Sequence, residues 1–135
     1  MSPPSPLMAS LHVALGGAIG AVLRYQVGRW MTALLGPSAV AAFPWATLFV
    51  NIAGSLAMGL LAGWLARHGD GGEPVRLLLG VGVLGGFTTF SAFSLELMLL
   101  IERGQPGQAF VYGAVSVLAG LSALYIGLIV MRLTA

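Results

Sequence analysis

The chain has 135 residues, of which 58% are hydrophobic and 7% charged, with a mean hydropathy of +0.95 and a net charge of +2. A soluble domain carries about 25% charged residues, so the composition excludes one and describes a membrane protein. Six basic and four acidic side chains, scattered, exclude a nucleic-acid footprint, and the absence of cysteine excludes a disulfide framework, a thiolate metal site and a cysteine nucleophile.

The leader MSPPSPLMAS lacks the Lys/Arg-rich start of a cleaved signal peptide, and the apolar run behind it is too long for an h-region, so the first helix is expected to be retained. That helix is expected from about Ser10 to Leu35. Its run GGAIGA at 16–21 resembles a fragment of a dinucleotide fingerprint, but the preceding strand and the acid about 20 positions on are both missing. Arg24 lies deep in this helix, where a charge is expensive and functional by default. It reads either as a donor to backbone carbonyls at a helix break or as a fixed positive charge that attracts an anion.

Gly36-Pro37 and Pro44 end the first segment, and a second helix is expected from Trp45 to Arg67. Asn51 falls in its first third, within VNIAG, as interhelical glue or as a neutral amide donor for a permeating anion. The polar RHGDGGEP at 67–74 precedes a third apolar stretch from Val75 to Ile101, and ERGQPG at 102–107 precedes a fourth from Gly107 to Arg132. Each is close to or above the roughly 20 residues that cross about 30 Å of hydrocarbon as a helix. With short connections throughout, 1–135 reads as a single all-α transmembrane domain without a soluble head. Small residues four apart, Gly16 and Gly20, Gly59 and Gly63, Gly82 and Gly86, Ser116 and Gly120, give each helix a face for close approach to another. The six methionines read as gap filling, and His12 and His68, at helix ends, form no metal cluster.

The segment GGFTTFSAFSLE at 85–96 departs from the pattern, placing hydroxyls, rings and a carboxylate inside an apolar run. Gly85-Gly86 permits a departure from helix, and Thr88 and Thr89 offer hydroxyls to the freed backbone groups. Non-helical backbone is tolerated at membrane depth only where it is buried in protein or lines a cavity, so a broken third helix is expected. Carbonyls released by the break suit a bare alkali cation. If helix resumes near Thr89, Phe90 and Phe93 are neighbours on one face and Ser91 and Ser94 adjoin them. Phenyl edges are positive and can touch an anion. Glu96, one to two turns on, reads as snorkelling, as capping a network with an arginine, or as lining a vestibule. Tyr112 and Ser116 share a polar strip on the fourth helix, or form interhelical hydrogen bonds.

The arginines scarcely vote on orientation: Arg67, Arg76 and Arg132 lie on one side, Arg29 and Arg103, with Arg24, on the other. So weak a bias predicts insertion both ways round and pairing with an inverted copy.

GGAIGAVLRY at 16–25, TLFVNIAGSLAMG at 47–59 and GVLGGFTTFSAFSLE at 82–96 closely resemble the signature segments of the Fluc (CrcB) family of fluoride channels. The resemblance implies a dual-topology antiparallel homodimer in the bacterial inner membrane, with paired fluoride pores, a sodium ion at the dimer centre, and passive fluoride export. Carried over, it makes Phe90 and Phe93 the pore phenylalanines and Asn51 the pore asparagine. The carbonyls of Gly85 and Thr88 match the sodium positions. Ser91, Tyr112 and Ser116 match the polar lining, and Arg24 and Glu96 match the membrane-embedded charges. Ala92 stands where the family pattern has a hydroxyl. The implied partners are fluoride, sodium, a second copy and lipid, with no nucleic acid. A small dual-topology proton-coupled multidrug antiporter is the alternative, but its membrane acid belongs in the first helix, which here has Arg24 and no acid. An enzyme is disfavoured: no nucleophile with its base, metal set or phosphate loop can be assembled.

Overall fold

The computed structural model describes residues 4–134, and for Asp70 and Gly71 the backbone alone. The first three residues of the leader lie outside the described residues. Helix α1 runs Pro6–Leu35, starting before the expected Ser10. Ser5 caps it by accepting the Met8 N–H at 3.4 Å, and Pro6 occupies the first turn, where a missing N–H costs nothing. Gly36, at a φ of 86°, ends it. A short helix α2, Pro37–Ala42, follows where only a turn was expected. Helix α3 is Trp45–His68.

The third span, Glu73–Glu102, is built in pieces. A single turn α4, Glu73–Val75, leads into a π-helix, Arg76–Leu84, then a turn α5, Gly85–Phe87. Thr88 and Thr89 are extended, with φ/ψ of −83°/159° and −153°/124°, and helix α6 resumes at Phe90–Glu102. The third helix is therefore broken as expected, but not at Gly85-Gly86, which remain helical. The wide π-turn before them was not anticipated. Helix α7 is Pro106–Leu133.

Four helices are long and apolar enough to cross a membrane, and large apolar side chains such as Leu15, Leu95, Phe110 and Leu118 are exposed along them. The helices pack as two pairs: α1 against the π-helix and α5, and α3 against α7. Glycine decides both contacts. A Cβ on Gly82 would lie 2.8 Å from Gly16 Cα, and one on Gly86 would lie 2.5 Å from the Gly17 carbonyl, so these two glycines serve backbone contact with α1. In the other pair a Cβ on Gly59 would strike the Leu124 carbonyl, and one on Gly127 would lie 2.5 Å from that of Leu56. In lipid, where no hydrophobic force drives helices together, such close contact is the main source of cohesion. The small buried cluster of Leu100, Ala109 and Tyr112 joins α6 to α7.

Gly82→Leu should force α1 from the third span, an overpacking cost of about 1–3 kcal/mol. Gly113→Ala, whose Cβ would meet Leu97 Cδ2 at an ordinary 3.7 Å, should be tolerated. Unfolding midpoints of the two variants in detergent will check the difference.

Candidate functional site

The break in the third span frees backbone groups inside an apolar span, and α3 supplies their partner. The Thr89 N–H donates to Asn51 Oδ1 at 2.8 Å, and Asn51 Nδ2 donates to the Thr89 carbonyl at 3.0 Å. One side-chain amide thus satisfies both polar groups of one residue. The Thr88 hydroxyl donates to the Leu84 carbonyl at 2.8 Å, closing the helix before the break, and Thr89 Oγ1 accepts the Ala92 N–H at 3.2 Å, capping the helix after it. Ser55 fixes the asparagine's own turn by donating to the Asn51 carbonyl at 2.7 Å. An amide carries two N–H donors, so Asn51 has a second hydrogen beyond the one given to Thr89. The interhelical role expected of Asn51 is thus observed, in its bonds to Thr89.

The same bonds act on the two carbonyls singled out in the sequence. In a continuous helix the Gly85 carbonyl would receive the Thr89 N–H and the Thr88 carbonyl the Ala92 N–H. Those donors go instead to Asn51 and to the Thr89 hydroxyl. Oxygen lone pairs released in this way suit a hard alkali cation, so the residues present fit the expected sodium.

Further along α6, Glu96 is held by hydroxyls. Thr47 Oγ1 donates to Oε1 and the Tyr112 hydroxyl to Oε2, each at 2.7 Å. Thr47 and Tyr112 are buried, the latter completely. Phe43 meets the Tyr112 ring edge-on, with centroids 5.4 Å apart and planes at 76°, and Phe93 lies against it at 5.1 Å. The expected alternative in which Glu96 caps a network with an arginine is not formed: among the described residues the ion pair is Arg76 with Glu73, at 2.8 Å. Thr47 was missed in the sequence, as were Ser55 and the backbone role of Thr89. The signal was present, since Thr47, Asn51 and Ser55 recur every four residues on one face of α3.

Phe90 and Phe93 are neighbours, with centroids 5.8 Å apart, but differ in setting: Phe93 is half-buried and Phe90 is 79% exposed. Phe90 borders a cleft of about 300 Å³ with Asn51, Ser55, Thr88 and Thr89. Glu96 borders a second, of about 560 Å³, with Tyr25, Arg29, Trp45 and Thr47. Ser91 is exposed, its hydroxyl 3.3 Å from that of Thr89, whereas the Ser94 hydroxyl is spent on the Phe90 carbonyl at 2.9 Å. Ser116 Oγ, one turn beyond Tyr112 on α7, is buried and has no hydrogen-bond partner among the described residues. Asn51, Phe90, Ser91 and Thr88 therefore gather at the break, and Phe93, Tyr112 and Glu96 gather around the carboxylate. Arg24 stands apart, half-buried on α1 and bordering neither cleft.

Residues 11–128 match the family model described as CrcB-like protein, camphor resistance (CrcB). A fluoride-specific ion channel FluC from Novosphingobium aromaticivorans is 61% identical over 126 residues, covering 93% of this chain and 98% of that protein. One from Erythrobacter litoralis is 59% identical over 136 residues, covering the whole of both chains. A third, from Sphingopyxis alaskensis, is 58% identical over 120 residues, covering 89% of this chain and 92% of its own.

Tyr112→Phe and Thr47→Val each remove one donor to Glu96 with little change of shape, and each should cost about 1–3 kcal/mol. Because both serve one carboxylate, the double variant should depart from the sum of the single effects. Denaturant unfolding in detergent, run as a double-mutant cycle, measures this.

Proposed function

This chain belongs to the CrcB family, and from that membership we propose that it is a multi-pass fluoride channel of the bacterial membrane, passively exporting fluoride as a dual-topology antiparallel homodimer with paired pores. The observation that carries the reading is the break in the third span clamped by Asn51, with the exposed Phe90 at the same cleft. An isolated charge taken from water into a dry interior costs on the order of tens of kcal/mol. A conducting path must return that hydration through donors and yet release the ion, which calls for several weak sites and not one strong one.

In this reading the second Asn51 amide hydrogen and the edges of Phe90 and Phe93 hold the ion near the break. The Ser91, Tyr112 and Ser116 hydroxyls carry it along α6 and α7. Helix α6 begins at Phe90, so the positive end of its dipole is directed at the same point and favours an anion there. Arg24 and Glu96 act outside the Asn51–Phe90 contact, the arginine as a source of positive potential and the carboxylate as the anchor for the Tyr112 hydroxyl. The Gly85 and Thr88 carbonyls would hold a structural sodium ion together with the same carbonyls of the inverted copy. Bound there, the cation would supply a fixed positive potential and join the two copies. The nearly balanced arginines support insertion in both orientations.

Purified protein in sealed liposomes should release fluoride down its gradient, with chloride retained and no proton gradient imposed. Loss of a donor to the ion, roughly 1.5–3 kcal/mol, should make Asn51→Ala slower by about tenfold or more, and Phe90→Ile should be impaired while the dimer persists. Proton-coupled drug movement with no fluoride release would favour the antiporter and overturn the reading.

A further inference from the structure

We propose that Arg103 is a positioning residue: it latches the short helix α2 across the Glu96–Tyr112 end of the ion path and thereby sets the rate of permeation. The inference rests on the fluoride-channel reading and concerns residues to which that reading assigns nothing.

Helix α2 has six residues, well short of the length that stabilises an isolated helix. It is bounded by Gly36, at a φ of 86°, and by the Phe43-Pro44 turn, where Trp45 N–H donates to the Phe43 carbonyl at 2.9 Å. Its position must therefore come from tertiary contacts, and besides its packing on α1 two tie this segment to α6 and α7. Arg103 Nη1 donates to the Ala41 carbonyl at 2.8 Å, a bond spanning 62 positions of sequence. Two residues on, Phe43 packs on the Leu100, Ala109 and Tyr112 cluster and meets the Tyr112 ring edge-on. Arg103 itself is fixed at the end of α6, where its N–H donates to the Leu99 carbonyl at 3.1 Å before Gly104 turns the chain at a φ of 73°. The latch thus ties the C-terminal end of the helix that carries Glu96 to the segment that carries Phe43.

What the latch controls follows from the clefts. Glu96 is reached from two of them: the cleft of about 560 Å³ bordered by Arg29 and Thr47, and a smaller one of about 150 Å³ bordered by Arg103 and Leu99. Val40 and Pro44 border both, so the segment 40–44 is the partition between them. With the partition in place, Phe43 supports the Tyr112 ring whose hydroxyl is given to Glu96. With it released, the clefts merge, water reaches the carboxylate from both sides and the Tyr112 hydroxyl is no longer held in one direction. The guanidinium bond is solvent-exposed, so its net contribution is modest and the latch can open.

The test is fluoride efflux from liposomes for Arg103→Ala, Arg103→Met, Arg103→Lys, Phe43→Leu and the Arg103→Ala/Phe43→Leu double variant. Arg103→Ala and Arg103→Met should slow efflux by about threefold to tenfold, the factor set by one ordinary hydrogen bond. Arg103→Lys, which keeps a donor and the positive charge that bears on orientation, should restore at least half of the wild-type rate. Once Phe43 is truncated, removing Arg103 should have no further effect, because both act through the same support. A general structural defect would not be rescued by lysine and would not vanish in the Phe43→Leu background. Labelling of a Thr134→Cys tail with an impermeant maleimide, on a chain with no other cysteine, will show that orientation is unchanged. Wild-type efflux from Arg103→Ala or from Arg103→Met, lysine as slow as alanine, or additive effects in the double variant would each overturn the latch; if one of the two truncations fails to fold, the other decides. Absence of fluoride release from the wild type would overturn instead the channel reading on which it rests.

Discussion

The pair of reciprocal hydrogen bonds between the Asn51 amide and the Thr89 backbone is the constraint from which the rest of the structure follows. A helix interrupted inside a bilayer exposes an N–H and a carbonyl to a medium that cannot solvate them, at several kcal/mol each. A primary amide is the one neutral side chain that offers a donor and an acceptor side by side, the same pairing that two strands make. With Thr89 paired to α3, the N–H groups that would have closed the helix are drawn elsewhere. The Gly85 and Thr88 carbonyls are freed, and α6 starts anew in the interior of the protein. Two freed carbonyls, a helix terminus inside the protein and a second amide hydrogen are three consequences of one interaction.

The second polar centre obeys the same rule by different means. Glu96 occupies an apolar span with no basic partner among the described residues, and its two oxygens are each given a hydroxyl at 2.7 Å. Hydroxyls from different helices make the carboxylate a structural tie as well as a charge, joining α3, α6 and α7. Tyr112 is the shared member: its ring completes the small core and its hydroxyl completes the clamp.

Packing gives these sites their rigidity. The α1–π-helix–α5 and α3–α7 pairs are each close enough that a methyl group could not be added at the glycines of the crossing, Gly16, Gly82 and Gly86 in one and Gly59 and Gly127 in the other. Backbones in such contact present few alternative registers, so the π-turn of the third span is held against α1 while its continuation, α6, is held by α3 and α7. The break at Thr88–Thr89 lies where the span passes from one pair to the other.

Much of this was legible in the residues. Four apolar stretches, small residues four apart and a polar segment inside the third stretch are chemical facts about the chain, and hydrocarbon thickness converts them into four spans with one interruption. The membership of the CrcB family was equally legible, because the TTFS segment and the VNIAG segment are local in sequence. What remained undecided needed contacts between residues far apart in the chain. Glycine is permissive in a break and indispensable in a close crossing; the four-residue spacing of Gly82 and Gly86 already pointed to a crossing, and the position of α1 shows which helix they meet. Thr47 looks like any threonine near a helix start until α6 brings Glu96 to it, 49 positions away. Local periodicity specifies which groups can share a face, whereas the partner across the interface depends on how whole helices pack, and that is decided by the sum of many distant contacts.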